Sequence, residues 1–253
     1  MLQYGIRTKR QLPYSGLDLF PRKGSSPHSR RRPATGFHRA MRKKRLVCVL
    51  EKLKGAAIIA RQLDPRGSLS VASKPEAVRK MWVFGYGSLM WDGWEDALGG
   101  SRVDRAALVN YRRSFNKKST RNWGTAEVPG PTLGLEAVDG MLCIGTAFEF
   151  PDDLRPAIET LLKKREGPSF TFPELPVRLP DGREIRALTP VNNRSSGTYI
   201  GNVPARERAT MARAATGEDG ACADYVRNIA EKLRALEIAD EDVEDFARLV
   251  DAD

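Results

Sequence analysis

The stretch MWVFGYGSLMW at residues 81–91 joins an apolar run to two glycines, a tyrosine and a serine. The apolar run predicts a strand, and Gly85-Tyr86-Gly87-Ser88 predicts a tight turn at its end. Glycine lets the chain turn closely and brings backbone N–H groups within reach of a ligand. Two or three converging N–H groups can hold a carboxylate or a developing oxyanion. On spacing alone, a glycine turn after a buried strand is more often an ordinary turn.

Histidine is absent from Met81 onward, because His28 and His38 both lie in the first 80 residues. This excludes Ser-His-Asp and Cys-His catalysis from the second part of the chain. The turn also lacks the Gly-x-Ser-x-Gly pattern of a nucleophile elbow, so Ser88 is not predicted to be a nucleophile. The three cysteines form no CxxC pair, which argues against a zinc site and a disulfide framework. If the chain is an enzyme, the expected proton carrier is a carboxylate whose pKa is raised by burial.

The net charge of +10 is concentrated at one end of the chain. Residues 1–80 carry 20 basic and 4 acidic side chains, whereas residues 81–253 carry 22 basic and 28 acidic ones. The first segment is predicted to be a mostly disordered basic extension. A translated upstream region with the functional start at Met41 or Met81, a transit peptide and a nucleic-acid-binding arm are the open alternatives. No apolar run is long enough to cross a bilayer.

The elements that would position the glycine turn are short strands and helices. Strands are predicted at 105–118, 130–138 and 140–150, and a hairpin with Asp181-Gly182 as its turn follows at 176–191. Helices are predicted at 151–166, 204–216, 222–237 and 240–250. This order predicts an α+β domain built around a small sheet or barrel.

The glycine-turn segment MWVFGYGSLMW closely resembles the opening of the ChaC-like γ-glutamylcyclotransferases, enzymes that cyclise γ-glutamyl amides such as glutathione. Four later segments are similar to family motifs in the expected order: STRNWGTAEVPGPTLGLE, LLKKREGPSF, TYIGNVP and ATGEDGACADYVRN. The resemblance covers residues 81–253 and leaves residues 1–80 outside, so it implies a cyclotransferase domain at 81–253. It implies the compact cyclotransferase fold, a small mixed β-barrel flanked by α-helices.

The resemblance also implies the site. Glu166 would be the catalytic acid and base, with Tyr199 near the ligand and with no metal or organic cofactor. The substrate-binding loop would consist of Val83, Phe84, Gly85, Tyr86, Gly87, Ser88 and Leu89. Two residues depart from the family pattern: Trp123 stands where a basic residue is expected, and Phe170 stands where a phenol is expected. Both departures bear on which γ-glutamyl substrate is preferred.

The expected function is therefore a cytoplasmic γ-glutamylcyclotransferase that acts on glutathione or related γ-glutamyl peptides, a small-molecule substrate. Two alternatives stay open. The same fold could act on γ-glutamyl amines, or an inactive domain could present the basic extension to nucleic acid. A membrane partner is not expected, and the oligomeric state stays open.

Overall fold

The computed structural model describes residues 79–252. The basic extension predicted for residues 1–80 thus lies outside the described residues, apart from Arg79 and Lys80. The strands are β1 (Lys80–Gly85), β2 (Ser101–Ser119), β3 (Gly130–Pro151), β4 (Phe170–Thr171), β5 (Glu174–Arg178), β6 (Glu184–Leu188), β7 (Val191–Asn192), β8 (Thr216–Gly217) and β9 (Gly220–Ala221). The helices are α1 (Arg155–Glu166), α2 (Ala205–Ala214), α3 (Cys222–Ala235) and α4 (Glu241–Asp251).

Five strands form a closed barrel in the order β1-β3-β2-β5-β6. Neighbouring strands are antiparallel except where β1 meets β6, a parallel contact between Val83 and Leu188 that closes the barrel. The remaining short strands form two separate pairs, β4-β7 and β8-β9. The expectation of a small mixed barrel flanked by helices is confirmed.

The two long strands bend where their register shifts. Arg105 and Asn110 are left unpaired at two of the shifts between β2 and β3, and both have positive φ, 60° and 62°. An extra residue in one strand increases its local twist and bends it, which suits strands that must curve around a barrel. The prediction of separate strands at 130–138 and 140–150 is wrong. One strand runs through Gly140, and the Gly140 amide donates a hydrogen bond to the Asn110 side-chain oxygen at 2.9 Å.

The helices agree closely with the prediction, with one shifted start. The helix predicted from residue 151 begins at Arg155, because Asp152–Leu154 form a 3-10 turn before it. Helix α4 begins after Asp240, whose side chain accepts a hydrogen bond from the Val243 amide at 3.0 Å. An aspartate in this position satisfies an amide that has no partner within the helix.

Two apolar clusters lie on either side of β1. Met81 and Val83 pack with α1, Trp94 and Phe148, whereas Phe84 packs inside the barrel and toward the C-terminal helices. Alternate residues of a strand point to opposite faces, so β1 is held from both sides. The end of β1, where the glycine turn begins, is therefore fixed by the core.

Candidate active site

The glycine turn lies at the end of β1, as the sequence predicts. After Gly85 the chain passes through a 3-10 turn at Ser88–Met90, and the Met90 amide donates to the Gly87 carbonyl at 2.9 Å. A Cβ atom on Gly85 would lie 2.9 Å from the Leu89 Cβ, so only glycine fits there. Among the residues that the structure describes, the amides of Gly87 and Ser88 have no hydrogen-bond acceptor. These amides are available to a bound anion.

The predicted loop residues divide into two groups by exposure. The side chains of Val83, Phe84 and Leu89 are buried in the core, so they position the backbone and do not present side chains to a ligand. Tyr86 is also buried, but its phenol lies near the Glu166 carboxylate. Ser88 is exposed.

Three arginines from other elements fasten the glycine turn. Arg113, fully buried in β2, donates to the Tyr86 carbonyl at 2.8 Å. Arg102 donates to the Met90 carbonyl at 3.1 Å, and Arg165 donates to the Ser88 hydroxyl at 2.8 Å. The backbone of the turn is thereby held in one conformation by side chains distant in sequence.

The buried Arg113 is a residue that sequence reasoning missed. Its guanidinium also donates to the Asp240 carboxylate at 2.8 Å and to the Ile144 carbonyl at 2.6 Å. A signal was present, because Arg113 alternates with Phe115 and so shares its inward face of β2. A charge at an inward position is retained only when it is fully hydrogen-bonded.

Glu166 is the last residue of α1, and its carboxylate lies near the Tyr86 phenol of the glycine turn. Its side chain is only 20% exposed, and its Oε1 lies 3.3 Å from the Arg165 Nε. Burial raises the pKa of the Glu166 carboxyl above its ordinary value, while the Arg165 and Lys117 cations oppose that rise. Glu166 is therefore a shielded carboxylate with a raised pKa, which is the kind of proton carrier expected in a domain without histidine.

Two phenols and a lysine surround this carboxylate. Burial raises the pKa values of Tyr86 and Tyr225, so both are protonated at neutral pH, and the negative charge of Glu166 acts in the same direction. Burial lowers the pKa of Lys117, and the Glu166 carboxylate opposes that change. Four groups from β2, α1, α3 and the glycine turn therefore meet at one place.

The two departures from the family pattern are each packed against this group of residues. The Phe170 ring is buried, and the Lys117 Nζ lies 5.4 Å from its centre, a cation–π arrangement. The Trp123 ring packs on Tyr225 with ring centres 4.8 Å apart. The Tyr225 hydroxyl accepts a hydrogen bond from the Leu133 amide at 3.1 Å. Both aromatic side chains thus support neighbours of Glu166.

Tyr199 is placed differently from the other predicted site residues. Its hydroxyl lies 3.0 Å from both carboxylate oxygens of Glu136 and accepts from the Arg194 Nε at 3.3 Å. Gly201 is required beside it, because a Cβ there would lie 2.1 Å from the Tyr199 oxygen. The hydroxyl is therefore engaged by a local ion pair, and its contact with a ligand stays a prediction.

Glycines also explain the later motif segments. A Cβ on Gly124 would lie 2.3 Å from the Gly130 amide, and one on Gly217 would lie 2.5 Å from the Gly124 amide. Three backbone segments meet there without side chains between them. This contact fixes the loop that carries Trp123.

The described cysteines are buried thiols, and the described residues include no cluster of metal ligands. Cys143 and Cys222 are free and buried, and burial raises their pKa values to about 11 and about 12. Both are therefore protonated thiols at neutral pH. Within the described part of the chain, no group of three or more histidine, cysteine, aspartate or glutamate residues is placed to hold a metal ion. The helices described there include none long and apolar enough to span a membrane.

A groove of about 580 Å³ lies beside the end of α1 and is lined by Lys163, Gly167 and Phe170 among others. Its lining does not include Glu166 or the glycine turn. The convergence of titratable groups, and not the size of this groove, identifies the candidate site.

Residues 81–253 match the family model described as ChaC-like protein. The chain is 32% identical over 170 residues to a protein of Escherichia coli named glutathione-specific gamma-glutamylcyclotransferase, covering 66% of this chain and 71% of that protein. It is 31% identical over 182 residues to gamma-glutamylcyclotransferase 2-3 of Arabidopsis thaliana, covering 67% of this chain and 88% of the relative.

The fold is also similar to that of a solved structure. The crystal structure of a yeast γ-glutamyl cyclotransferase specific to glutathione superimposes with a TM-score of 0.58 at 18% identity. The match covers 68% of this chain and 96% of the yeast chain. At this identity the likeness shows a shared fold.

Proposed function

The chain belongs to the ChaC-like family, and on this premise we propose that it is a γ-glutamylcyclotransferase that converts glutathione to 5-oxoproline and cysteinylglycine. One observation carries the proposal: a shielded carboxylate, Glu166, lies near the Tyr86 phenol and beside Arg165, which donates to the Ser88 hydroxyl of a glycine turn whose amides are available to an anion. The names of the E. coli and Arabidopsis relatives support the same reaction.

The reaction suits these groups because the substrate contains its own nucleophile. The α-amino nitrogen of the γ-glutamyl group attacks the γ-carbonyl carbon and closes a five-membered lactam, while the amide bond to cysteine breaks. No water is consumed. Orienting the amine toward the carbonyl is worth up to about 7–11 kcal/mol in the best-oriented intramolecular reactions.

Glu166 moves the proton in this mechanism. It takes a proton from the substrate ammonium and returns one to the departing nitrogen. A carboxyl whose pKa is raised by burial serves both steps near neutral pH better than an exposed one. The backbone of the loop Val83–Leu89, with the amides of Gly87 and Ser88, binds the substrate carboxylate or the oxyanion. Tyr199 borders the ligand through its polar cluster.

The proposal extends to the organisation of the chain. Residues 81–253 form the catalytic domain, and residues 1–80 are an extension that the reaction does not use. The reaction needs proton transfer and orientation alone, so the enzyme works without metal or organic cofactor. It acts in the cytoplasm on a small-molecule γ-glutamyl substrate.

The test uses the purified full chain and a panel of γ-glutamyl compounds, with release of 5-oxoproline as the readout. Glutathione and other γ-glutamyl peptides are expected to be turned over, and a chain that starts at Met81 is expected to match the full chain. Faster release of 5-oxoproline from γ-glutamyl amines than from glutathione would identify γ-glutamyl amines as the substrate class. No 5-oxoproline from any member of the panel would refute the proposed activity.

A further inference from the structure

We propose that Arg165 is a positioning residue that fixes the glycine turn against Glu166 and, together with Asp92, sets the charge around this carboxylate. This inference rests on the proposed function for its kinetic consequences. Its structural consequence can be measured without activity.

The contacts of Arg165 carry the first part of the proposal. Its Nη2 donates to the Ser88 Oγ at 2.8 Å, its Nη1 lies 2.5 Å from the Asp92 Oδ2, and its Nε lies 3.3 Å from the Glu166 Oε1. The side chain is only 16% exposed. One planar guanidinium therefore contacts the substrate loop, the segment after it and the proposed catalytic carboxylate. Its fork geometry makes such simultaneous contacts possible, and a lysine ammonium cannot reproduce them.

A comparison of Arg165 with Lys163, in the same last turn of α1, distinguishes this role from that of an ordinary cation at a helix end. Basic side chains in the last turn of a helix are favoured by its dipole. Lys163 has that position and is 63% exposed, and among residues 79–252 it pairs only with Glu159 in the preceding turn. Arg165 instead reaches a residue 77 positions earlier in the chain. It joins two elements that contact the substrate.

The charges around Glu166 carry the second part. On its own helix the neighbour is Arg165, from β2 it is Lys117, and from the segment after the glycine turn it is Asp92. The two cations stabilise the charged carboxylate, whereas Asp92 destabilises it. Tyr86 and Tyr225 face Glu166 as neutral phenols. Asp92 also has a buried oxygen, Oδ1, that finds no hydrogen-bond partner in the described part of the chain, and its Oδ2 pairs with Arg165.

The kinetic test therefore uses two substitutions of opposite charge effect, Arg165→Gln and Asp92→Asn, in the full chain. Loss of the Arg165 cation raises the pKa of Glu166 and moves the acidic limb of the kcat/KM profile to higher pH. Loss of the Asp92 anion moves the same limb to lower pH. A residue that only stabilises the fold would give no such opposed pair of shifts. Arg165→Lys keeps the charge, so it keeps the limb near the wild-type position.

The position of the glycine turn is measured separately from the charge around Glu166. Both Arg165→Gln and Arg165→Lys are expected to lower kcat/KM by about 10- to 100-fold, because small misplacements of a positioning group are costly. Amide hydrogen exchange in residues 84–92 is expected to become at least about fivefold faster, the factor that corresponds to one lost hydrogen bond. Lys163→Gln is the matched control and should change neither readout.

The outcomes separate this proposal from the proposed function. If the wild-type chain is inactive on all γ-glutamyl compounds, the activity fails, and hydrogen exchange alone decides the positioning role. If exchange in residues 84–92 and the pH profile match the Lys163→Gln control, the role of Arg165 is refuted. Shifts of the two acidic limbs in the same direction would also refute it. Should Arg165→Gln fail to fold, Arg165→Lys and Asp92→Asn decide by the same measurements.

Discussion

Replacing Glu166 with glutamine should abolish most catalysis without weakening the fold. The amide has the same shape, but it can neither accept the ammonium proton nor return one to the leaving nitrogen. Loss of a general acid and base lowers rates by about 10²- to 10⁴-fold. At 1.36 kcal/mol for each factor of ten, this corresponds to about 2.7–5.4 kcal/mol in the activation barrier.

The stability of this variant follows from the direction of the pKa change. Burial raises the pKa of Glu166 in the folded state above its value in the unfolded chain. The unfolded chain therefore binds fewer protons between these two values, and folded stability decreases as the pH rises through that window. Above it, the buried charge destabilises the protein by a constant amount. Glutamine removes this effect, so the Tm at pH 7 should be equal to or above that of the wild type.

The assay compares 5-oxoproline release and thermal unfolding for wild type, Glu166→Gln and a control, Glu159→Gln. Glu159 lies on the same helix, is 34% exposed and pairs with Lys163. The control should retain full activity. The reasoning is refuted if Glu166→Gln stays folded and releases 5-oxoproline at the wild-type rate. It is equally refuted if the activity is lost only because the Tm falls.

Three further predictions concern pH, the buried arginine and the glycine turn. The acidic limb of the kcat/KM profile should lie at a pH above the ordinary glutamate pKa of about 4.3, because burial raises the pKa of Glu166. An acidic limb at or below that value would contradict the assignment of Glu166. Arg113→Met should lower the free energy of unfolding in urea by about 3–5 kcal/mol, because it removes the Arg113 donor from Asp240 and from the Tyr86 and Ile144 carbonyls. Unchanged stability would disprove the buried network. Gly85→Ala should destabilise the fold by about 1–3 kcal/mol because its methyl would lie 2.9 Å from the nearest side-chain atom. Gly197→Ala is the matched control in the same thermal scan, because a methyl there would meet no atom of the described residues within 4 Å. Equal Tm values for the two variants would count against the close contact.

The sequence predicted the helices and the hairpin because the residues that determine each of them are close together in the chain. The helix after Asp240 has its cap next to it in sequence, and the hairpin around Gly182 has a residue with φ of 86° at its turn. The continuity of β3 through Gly140 could not be predicted in this way. The Gly140 amide bonds to the side chain of Asn110 on β2, a contact between residues 30 positions apart. Closure of the barrel likewise depends on Val83 meeting Leu188.

The site was predictable only in part. Glu166 and the glycine turn were identified by resemblance to family motifs, and spacing alone favoured an ordinary turn. The contacts that bring them together come from Arg113, Arg165 and Lys117, which are distant from the turn in sequence. No local pattern reports such contacts, since each arises only after the barrel and α1 have packed.

The Arg113 network gives the order in which the site can be assembled during synthesis. One guanidinium joins the Tyr86 carbonyl to Asp240, so the turn formed by early residues of the domain is completed by a residue near its far end. The residues of β1, β2 and β3 all precede Asp240 in the chain and leave the ribosome before it. Until then the Arg113 charge has no carboxylate partner, and the substrate loop lacks its final support. The enzyme should therefore acquire activity only after translation of the last helix.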